Sequence, residues 1–453
     1  MAEATYYFPR HFWWGTATAG FQVEGHSANA DWWHWEHQPG RILDEHKSGA
    51  ACDWWHGRRW QEDFDRAASD GHNALRLSVE WSRIEPSPAR WDEDALDYYR
   101  QMIMGLRQRG LEPMVTLHHF ASPVWVSERR AWETGEIVAL FERYVRKVVG
   151  LLGEQVRLWC TINEPNVFVY SSFINGAHPP GKKNLRLAFQ VAEQALRAHA
   201  IAYRVIHAAR PDALVGLPIH FRPALTAPAG LLLDEWVAHT QFNLFSSLFP
   251  EAIRTGWMRR PFQWSVRVPE AKGTLDYFAM QYYTAEMVRF DVTNPHELFG
   301  RRAFPPGTEV DDAGLYASYP PGFFKSLAWA HKFGCGWGGG PTSLPIIITE
   351  NGIGDAADKM RPRYLLNHLR QLWRAVNMNW NVLGYFHWSL VDNFEWERGW
   401  AHRFGLYALD PETQARTPRP SAQLYAEICR AGGVSTDLVT RYAPELIEQL
   451  FPG

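Results

Sequence analysis

The sequence predicts a (β/α)8 barrel. Three observations predict it: eight short apolar runs alternate with segments of helical period, no composition break divides the chain, and no phosphate-binding turn follows the first run. The runs cover residues 12–16, 74–79, 112–117, 156–162, 213–219, 277–282, 345–349 and 382–388. Several are apolar without alternation, as in Ile346-Ile347-Ile348, which is how strands buried on both faces read. An open doubly wound sheet is the competing architecture. The barrel is preferred because the eight units continue to the C-terminus, with long loops after the strands forming a rim.

The segments between the runs carry the 3.6 period. Leu96, Tyr99, Ile103 and Leu106 share one face of a helix that opens near Asp92 and stops at Gly110. Ile137, Leu140, Phe141, Tyr144, Val145 and Val148 line a second helix over 136–149. After the seventh run, Leu365, Leu369, Leu372 and Val376 repeat the pattern. No Gly/Ser linker, charge block or low-complexity segment interrupts them, so one domain over 1–453 is expected.

Composition excludes several functions. With 46 basic and 49 acidic residues among 453, the net charge is −3, without the basic excess that phosphate contacts demand, and a nucleic-acid partner is not expected. No apolar run is long enough to span a bilayer, which excludes a spanning helix. The opening residues form no basic-then-apolar block, and Cys52, Cys160, Cys335 and Cys429 form no C-x-x-C pair; reduced thiols and a cytoplasmic location are expected. The 23 tryptophans are a surplus. Most suit a core, but flat aromatic platforms also suit the weakly apolar faces of sugars.

Functional side chains in a barrel gather at the C-terminal ends of strands. Those positions here hold Gln22, Arg76, His118-His119, Asn163-Glu164, Tyr282-Tyr283, Glu350-Asn351, Trp388 and Glu395-Trp396. Glu164 and Glu350 stand directly at strand ends on nearly opposite sides of the predicted mouth. Glycoside hydrolysis needs such a pair. In its retaining form the carboxyls lie about 5–5.5 Å apart, one attacking the anomeric carbon while the other protonates the leaving oxygen. A single strand-end Glu can equally well salt-bridge a loop; two, each beside an Asn and among Arg, His, Tyr and Trp, favour catalysis.

These residues carry a resemblance. Gly15-Thr16-Ala17-Thr18-Ala19-Gly20-Phe21-Gln22-Val23-Glu24-Gly25, Arg76-Leu77-Ser78-Val79-Glu80-Trp81-Ser82-Arg83, Thr116-Leu117-His118-His119-Phe120, Thr161-Ile162-Asn163-Glu164-Pro165, Thr349-Glu350-Asn351-Gly352 and Trp388-Ser389-Leu390-Val391-Asp392-Asn393-Phe394-Glu395-Trp396 occur in one order. In that order they resemble the motifs of glycoside hydrolase family 1, the β-glucosidase/β-glycosidase family.

The resemblance implies a cofactor-free, retaining β-glycosidase acting on small β-glucosides or short oligosaccharides, with β-galactosides and β-fucosides also admitted. It implies Glu350 as nucleophile and Glu164 as acid/base. Asn163 would hold the sugar 2-hydroxyl; Gln22, His119, Glu395 and Trp396 would bind other hydroxyls. Trp388 would be the stacking floor, Phe404 would close the pocket, and Arg76 and Tyr283 would hydrogen-bond Glu350. Arg76 is expected to keep Glu350 ionised, and Glu164, with no basic neighbour in sequence, to have a raised pKa. Members acting on 6-phosphorylated sugars carry a serine where Glu395 stands; a carboxylate there repels a phosphate, so neutral glycosides are expected. A catalytically inactive sugar-binding barrel, a 6-phospho-β-glycosidase and a metal-dependent barrel hydrolase are the alternatives.

Three positions depart from the family pattern: Gln281 for an Asn, Phe120 for a Trp, and Leu315 for a Trp that offers the aglycone a platform. Leu315 cannot stack on a sugar, which disfavours long cello-oligosaccharides. Other signals point to no site. Gly334-Cys335-Gly336-Trp337-Gly338-Gly339 spells a nucleotide-type turn but precedes a strand instead of joining strand to helix. His34/His37 and His118/His119 lack the third ligand a metal needs. Trp32, Trp33, Trp35, Trp54, Trp55 and Trp60 read mostly as core.

Overall fold

The computed structural model describes residues 4–226, 230–260, 264–294, 297–337 and 343–452. The barrel strands are β1 (Trp13–Ala17), β2 (Ala74–Ser78), β3 (Glu112–His118), β4 (Leu158–Ile162), β5 in two pieces (Leu214–Gly216 and Ile219–His220), β6 (Phe278–Tyr282), β7 (Ile346–Asn351) and β8 (Val382–Trp388). All pair in parallel, β8 joining β1 through Gly384 opposite Trp13 and Phe386 opposite Gly15. Every residue of β2, β4, β6 and β7 is buried, as continuous apolar runs require.

Closure falls on β5. Its first piece pairs with β4 (Leu158 opposite Leu214), and its second pairs with β6 (Met280 opposite Ile219). The break is at Leu217-Pro218, and proline has no N–H to give a ladder. The expected unbroken strand over 213–219 is therefore two pieces, and one strand serves as both edges. That pairing excludes the open sheet.

Among the described residues the longer helices are α1 (Trp60–Ser69), α2 (Glu93–Gln108), α3 (Ile137–Leu152), α4 (Pro165–Phe173), α5 (Leu185–Ala209), α6 (Leu232–Phe245), α7 (Leu248–Thr255), α8 (Pro320–Gly334), α9 (Arg361–Asn377) and α10 (Pro420–Ala431). Asp92 caps α2 by accepting from the Ala95 N–H at 2.9 Å, a contact worth about 0.5–2 kcal/mol. The apolar face expected of α3 is buried throughout, and on α9 only Val376 is half-buried. Glu286–Phe290, Gly300–Ala303 and Ala224–Leu225 form a small sheet beyond β5 and β6. Thr5–Tyr7 pairs antiparallel with Gly433–Ser435, tying the two ends of the chain together.

Among the described residues, no helix is long and apolar enough to cross a membrane.

Candidate active site

The strand ends deliver the predicted side chains to one place. Asn163 closes β4, and Glu164 turns the chain into α4 with φ +40° and ψ 60°, a left-handed conformation that non-glycine residues adopt at a cost. One contact and one residue hold that turn: the Glu164 N–H donates to the Pro218 carbonyl at the break in β5 (2.9 Å), and Pro165, its φ already helical, begins the helix. On β7 the ladder slips by one residue. Met280 pairs with Ile348 but Gln281 pairs with Glu350, so the slip brings Gln281 level with the carboxylate.

Glu164 and Glu350 line one cavity of about 180 Å³, together with His119, Asn163, Tyr283, Trp388, Glu395, Trp396 and Phe404. Arg76 and Gln22 stand behind this wall. Glu350 is 3% exposed and heavily supported: Arg76 and Gln281 (2.5 Å) donate to Oε1, and the Tyr283 hydroxyl donates to Oε2 at 2.6 Å. Arg76 also donates to Asn163 Oδ1 (2.5 Å) and Thr116 Oγ1 (3.0 Å), so its guanidinium is fixed on three sides.

Glu164 is supported differently. Its Oε1 accepts no hydrogen bond; His220 Nδ1 lies 3.2 Å away but out of line. Burial pushes the Glu164 carboxyl up to about 8, with only partial opposition from the cations Arg76 and Arg222 and from His178. Burial also pushes Glu350 up, to about 7, against the pull of Arg76 and the hydrogen bonds from Tyr283 and Arg76; the charge of Glu164 adds to the rise. At Glu350 the opposing cation and hydroxyl are directly hydrogen-bonded, whereas Glu164 Oε1 accepts no such bond. Desolvation at the barrel centre raises the Glu350 carboxyl, and Arg76 is the chief group opposing it, in the direction expected of a cation beside a nucleophile. Burial drives the proton affinity of His119 well down, so its ring is neutral, and Nε2 pairs with Asn163 Nδ2 at 2.9 Å.

Glu395 and Trp388 form the opposite wall. Gln22 Nε2 (3.2 Å) and Trp388 Nε1 (3.4 Å) both donate to Glu395 Oε2. Gln22 Nε2 also meets Asn393 Oδ1 and the Phe394 carbonyl, each at 2.9 Å, while its Oε1 has no partner. The His119 ring lies roughly parallel to Trp388 (6.0 Å between centroids) and to Trp396 (5.9 Å). Phe404 packs edge-on to Tyr283 at 5.9 Å.

The three departures now have surroundings. Gln281 donates to Asn163 Oδ1 (2.8 Å) as well as to Glu350, so it braces both, a role its position before the tyrosine pair does not reveal. Phe120 packs its edge against Trp396 at 5.1 Å, and Leu315 lines the cavity. Sequence reasoning passed over His178, His220, Arg222 and Tyr316, which also line it. Tyr316 stacks on Tyr283 at 5.3 Å, and Arg222 pairs with Glu286 at 3.1 Å. His220 ends β5 and Arg222 follows two residues later, where strand-end reading could have found them.

The remaining signals resolve as packing. Trp32, Trp35, Trp54 and Trp60 are buried, Trp33 and Trp55 half-buried, and Trp32 backs the site against Trp396 and His178. His118 meets Ser122 at 3.1 Å, and His37 contacts the Trp33 carbonyl. Among the described residues no three His, Cys, Asp or Glu side chains gather as a metal site. Of the glycine-rich stretch, Gly338 and Gly339 lie outside the described residues.

A closed parallel barrel with two buried glutamates facing one small, aromatic-walled cavity defines the class: a glycoside hydrolase. A sequence model of glycosyl hydrolase family 1 matches residues 4–434, and the chain belongs to that family. It is 30% identical to β-glucosidase A of Thermotoga maritima over 94% of this chain and 98% of that one. It is also 30% identical to a β-galactosidase of Pyrococcus woesei, over 94% and 98%. A β-glycosidase structure from Pyrococcus horikoshii superposes with a TM-score of 0.88 at 35% identity, covering 97% of this chain and 98% of that one. The T. maritima β-glucosidase in complex with glucoimidazole gives 0.87 at 27% identity, covering 95% and 100%.

Proposed function

We propose that the protein is a retaining β-glycosidase, a single barrel domain that removes terminal non-reducing β-D-glucosyl units and also accepts β-galactosides and β-fucosides. The observation that carries this reading is the unequal support of two carboxyls in one cavity. Glu350 is held by a cation and two neutral donors, as a nucleophile must be; Glu164 Oε1 accepts no hydrogen bond, and burial lets this carboxyl keep its proton to higher pH, as an acid must.

Ionised Glu350 attacks the anomeric carbon while Glu164 passes its proton to the leaving glycosidic oxygen. The C1–O bond to the aglycone breaks, and an ester to Glu350 forms. Esterification removes the negative charge beside Glu164, which lowers its proton affinity. Glu164 then takes a proton from water as the water oxygen attacks C1, and the ester bond breaks to release Glu350. The two carboxyls supply both acid and nucleophile, so no cofactor is needed.

Free polar atoms fit a pyranose. Asn163 has one Nδ2 hydrogen beyond its contact with His119, available to the 2-hydroxyl, where hydrogen bonding strengthens toward the transition state. Gln22 Oε1 and Glu395 Oε1 remain for hydroxyls further round the ring, over Trp388 as the floor. Both can bond either 4-epimer, which favours mixed glucose and galactose acceptance. Burial pushes the Glu395 carboxyl up to about 8, whereas Glu397, although buried, is kept acidic by His178 and puts a negative charge on this wall, which favours a neutral sugar over a 6-phosphate. The four cysteines are unpaired, in keeping with a reducing, cytoplasmic compartment.

The test is turnover of a chromogenic β-glucoside followed by trapping with a 2-deoxy-2-fluoro-β-glucoside. Mass addition on the peptide carrying Glu350 is expected. Absence of turnover would favour the inactive sugar-binding barrel, labelling of another residue would overturn the nucleophile, and faster cleavage of the 6-phosphoglucoside would overturn the neutral-sugar assignment.

A further inference from the structure

One buried ring faces Glu164 at close range. His220 Nδ1 lies 3.2 Å from Glu164 Oε1, and each side chain is only 8% exposed. Neither Glu164 Oε1 nor His220 Nε2 has a hydrogen-bond partner. Buried polar atoms left without partners carry a desolvation cost, so this pair has a free-energy gain to make by coming into line.

The backbone sets the approach. The Glu164 N–H donates to the Pro218 carbonyl at 2.9 Å, and Asn166 Nδ2 donates to the His220 carbonyl at 2.8 Å. The start of α4 is thus tied twice to the break and second piece of β5. On its other side that piece pairs with β6, where His220 stands opposite Gln281, itself a donor to Glu350. The His220 ring is confined by Tyr283 (5.4 Å between centroids) and by Phe245, edge-on at 5.7 Å. A small rotation about Cβ–Cγ aligns Nδ1 with Oε1, and catalytic hydrogen bonds commonly tighten in this way when substrate fills the site.

Charge decides where the ring carries its proton. Burial keeps His220 neutral, lowering its pKa to about 3; Arg222 adds to the fall, and Glu350 and Glu286 oppose it. Arg222 and Glu286 pair with each other at 3.1 Å. Arg76 of β2, His178 and Arg222 act on Glu164, while burial keeps the phenols of Tyr283 and Tyr316 un-ionised. A neutral imidazole has one N–H. On Nε2 it would be a buried donor without a partner, and the Nδ1 lone pair would compete for the proton that Glu164 must give away. On Nδ1 it meets Oε1 and leaves only an acceptor unpaired, the lesser penalty.

We propose that His220 is a positioning residue for Glu164: its Nδ1–H donates to Oε1, which leaves Oε2 to carry the proton for the leaving oxygen. The proposal rests on the β-glycosidase reading. The proton passes from Oε2 to the glycosidic oxygen, the negative charge stays on Glu164, and the bond from Nδ1–H strengthens as that charge grows. His220 keeps its own proton throughout. When water attacks C1, Oε2 takes a proton from it.

The experiment compares the wild type with His220→Phe, which keeps a ring and removes the donor, and with His220→Asn, whose amide nitrogen can replace Nδ1. kcat/KM is followed against pH for methyl β-D-glucoside, whose leaving group needs the proton, and for a dinitrophenyl β-D-glucoside, whose leaving group does not. His220→Phe should move the basic limb for the methyl glucoside up by about one pH unit and cut the methyl-to-dinitrophenyl ratio about tenfold, the effect of one lost hydrogen bond to a charge. His220→Asn should restore most of both. The ratio is taken within one protein, so the fraction folded does not enter it. In the wild type, nitrogen NMR of isotope-labelled histidine should show the His220 ring protonated on Nδ1, its signal assigned by its absence from His220→Asn. An unchanged limb and ratio in His220→Phe, an Asn variant as impaired as Phe, or a ring protonated on Nε2 would overturn the role and leave the β-glycosidase reading standing. Failure of the wild type to cleave either glucoside would overturn both.

Discussion

The guanidinium of Arg76, on β2, donates across the barrel interior to the carboxylate of Glu350, on β7, and neither side chain is more than 4% exposed. One planar fork also reaches Asn163 and Thr116, so a single residue fixes the charge and position of the proposed nucleophile and the orientation of its neighbour.

Arg76→Lys keeps the charge but cannot reach all these partners. Misplacing reacting groups by about 1 Å can cost on the order of 10²-fold, and a loss of that size in kcat/KM is expected. With less stabilisation of its anion, Glu350 should ionise at higher pH, moving the acidic limb of the kcat/KM profile upward. An acidic limb that stays in place would show that Arg76 does not set the ionisation of Glu350.

The wild-type profile should be a bell. Activity rises as Glu350 loses its proton, near pH 7, and falls as Glu164 loses its own, near pH 8, giving a maximum between them. The two limbs belong to the coupled pair as macroscopic values. Glu164→Gln should abolish the basic limb and lower kcat for an alkyl glucoside by about 10²–10⁴. With a dinitrophenyl glucoside, whose leaving group needs no proton, the first step should be nearly spared, visible as a burst of phenolate before slow turnover.

Gln281→Asn shortens the side chain by one methylene, so it cannot brace Glu350 and Asn163 together. Loss of one buried contact to a charged group, worth about 1.5–3 kcal/mol, should lower kcat/KM roughly ten- to a hundredfold. If part of that loss acts through Asn163, the deficit should shrink with a 2-deoxy-glucoside, which lacks the hydroxyl Asn163 would hold. An equal deficit on both substrates would place the whole effect on Glu350.

Behind the first loop, Glu24 and Glu80 are buried near each other around Arg83, and burial raises both carboxyls, Glu80 well above its ordinary range. The fold therefore keeps protons that the unfolded chain releases, and these acids weaken the fold as pH climbs from the usual carboxyl range through their raised values. Glu80→Gln preserves the acceptor for the Phe21 N–H (3.1 Å) and removes the like charge. Its melting temperature should exceed that of the wild type at pH 8 and approach it at pH 5. A variant equally destabilised at both pH values would refute the argument.

Much of the site was legible because strand ends announce themselves. Asn163-Glu164 and Glu350-Asn351 follow apolar runs that have no other reading than buried parallel strands, and chain order places those runs on facing sides of a barrel. Gln281 was visible as a residue but not as a brace, because its reach to Glu350 depends on a one-residue slip between β6 and β7. His220 and Arg222 lie beyond the end at 219 of an apolar run that reads as one strand; Pro218 is visible in it, but that the strand divides there, pairing with β4 before the proline and with β6 after it, is set by partners far away in the chain.

The amino-acid sequence by itself determined the alternation of strand and helix, the facing pair of glutamates and the aromatic surplus around them, because periodicity and residue type are local properties. Closure through a divided β5, the brace of Gln281 on both Glu350 and Asn163, and the unequal support of Glu350 and Glu164 were decided only by the tertiary structure. Each of these is set by desolvation and contacts among residues far apart in the chain, and no window of sequence contains that sum.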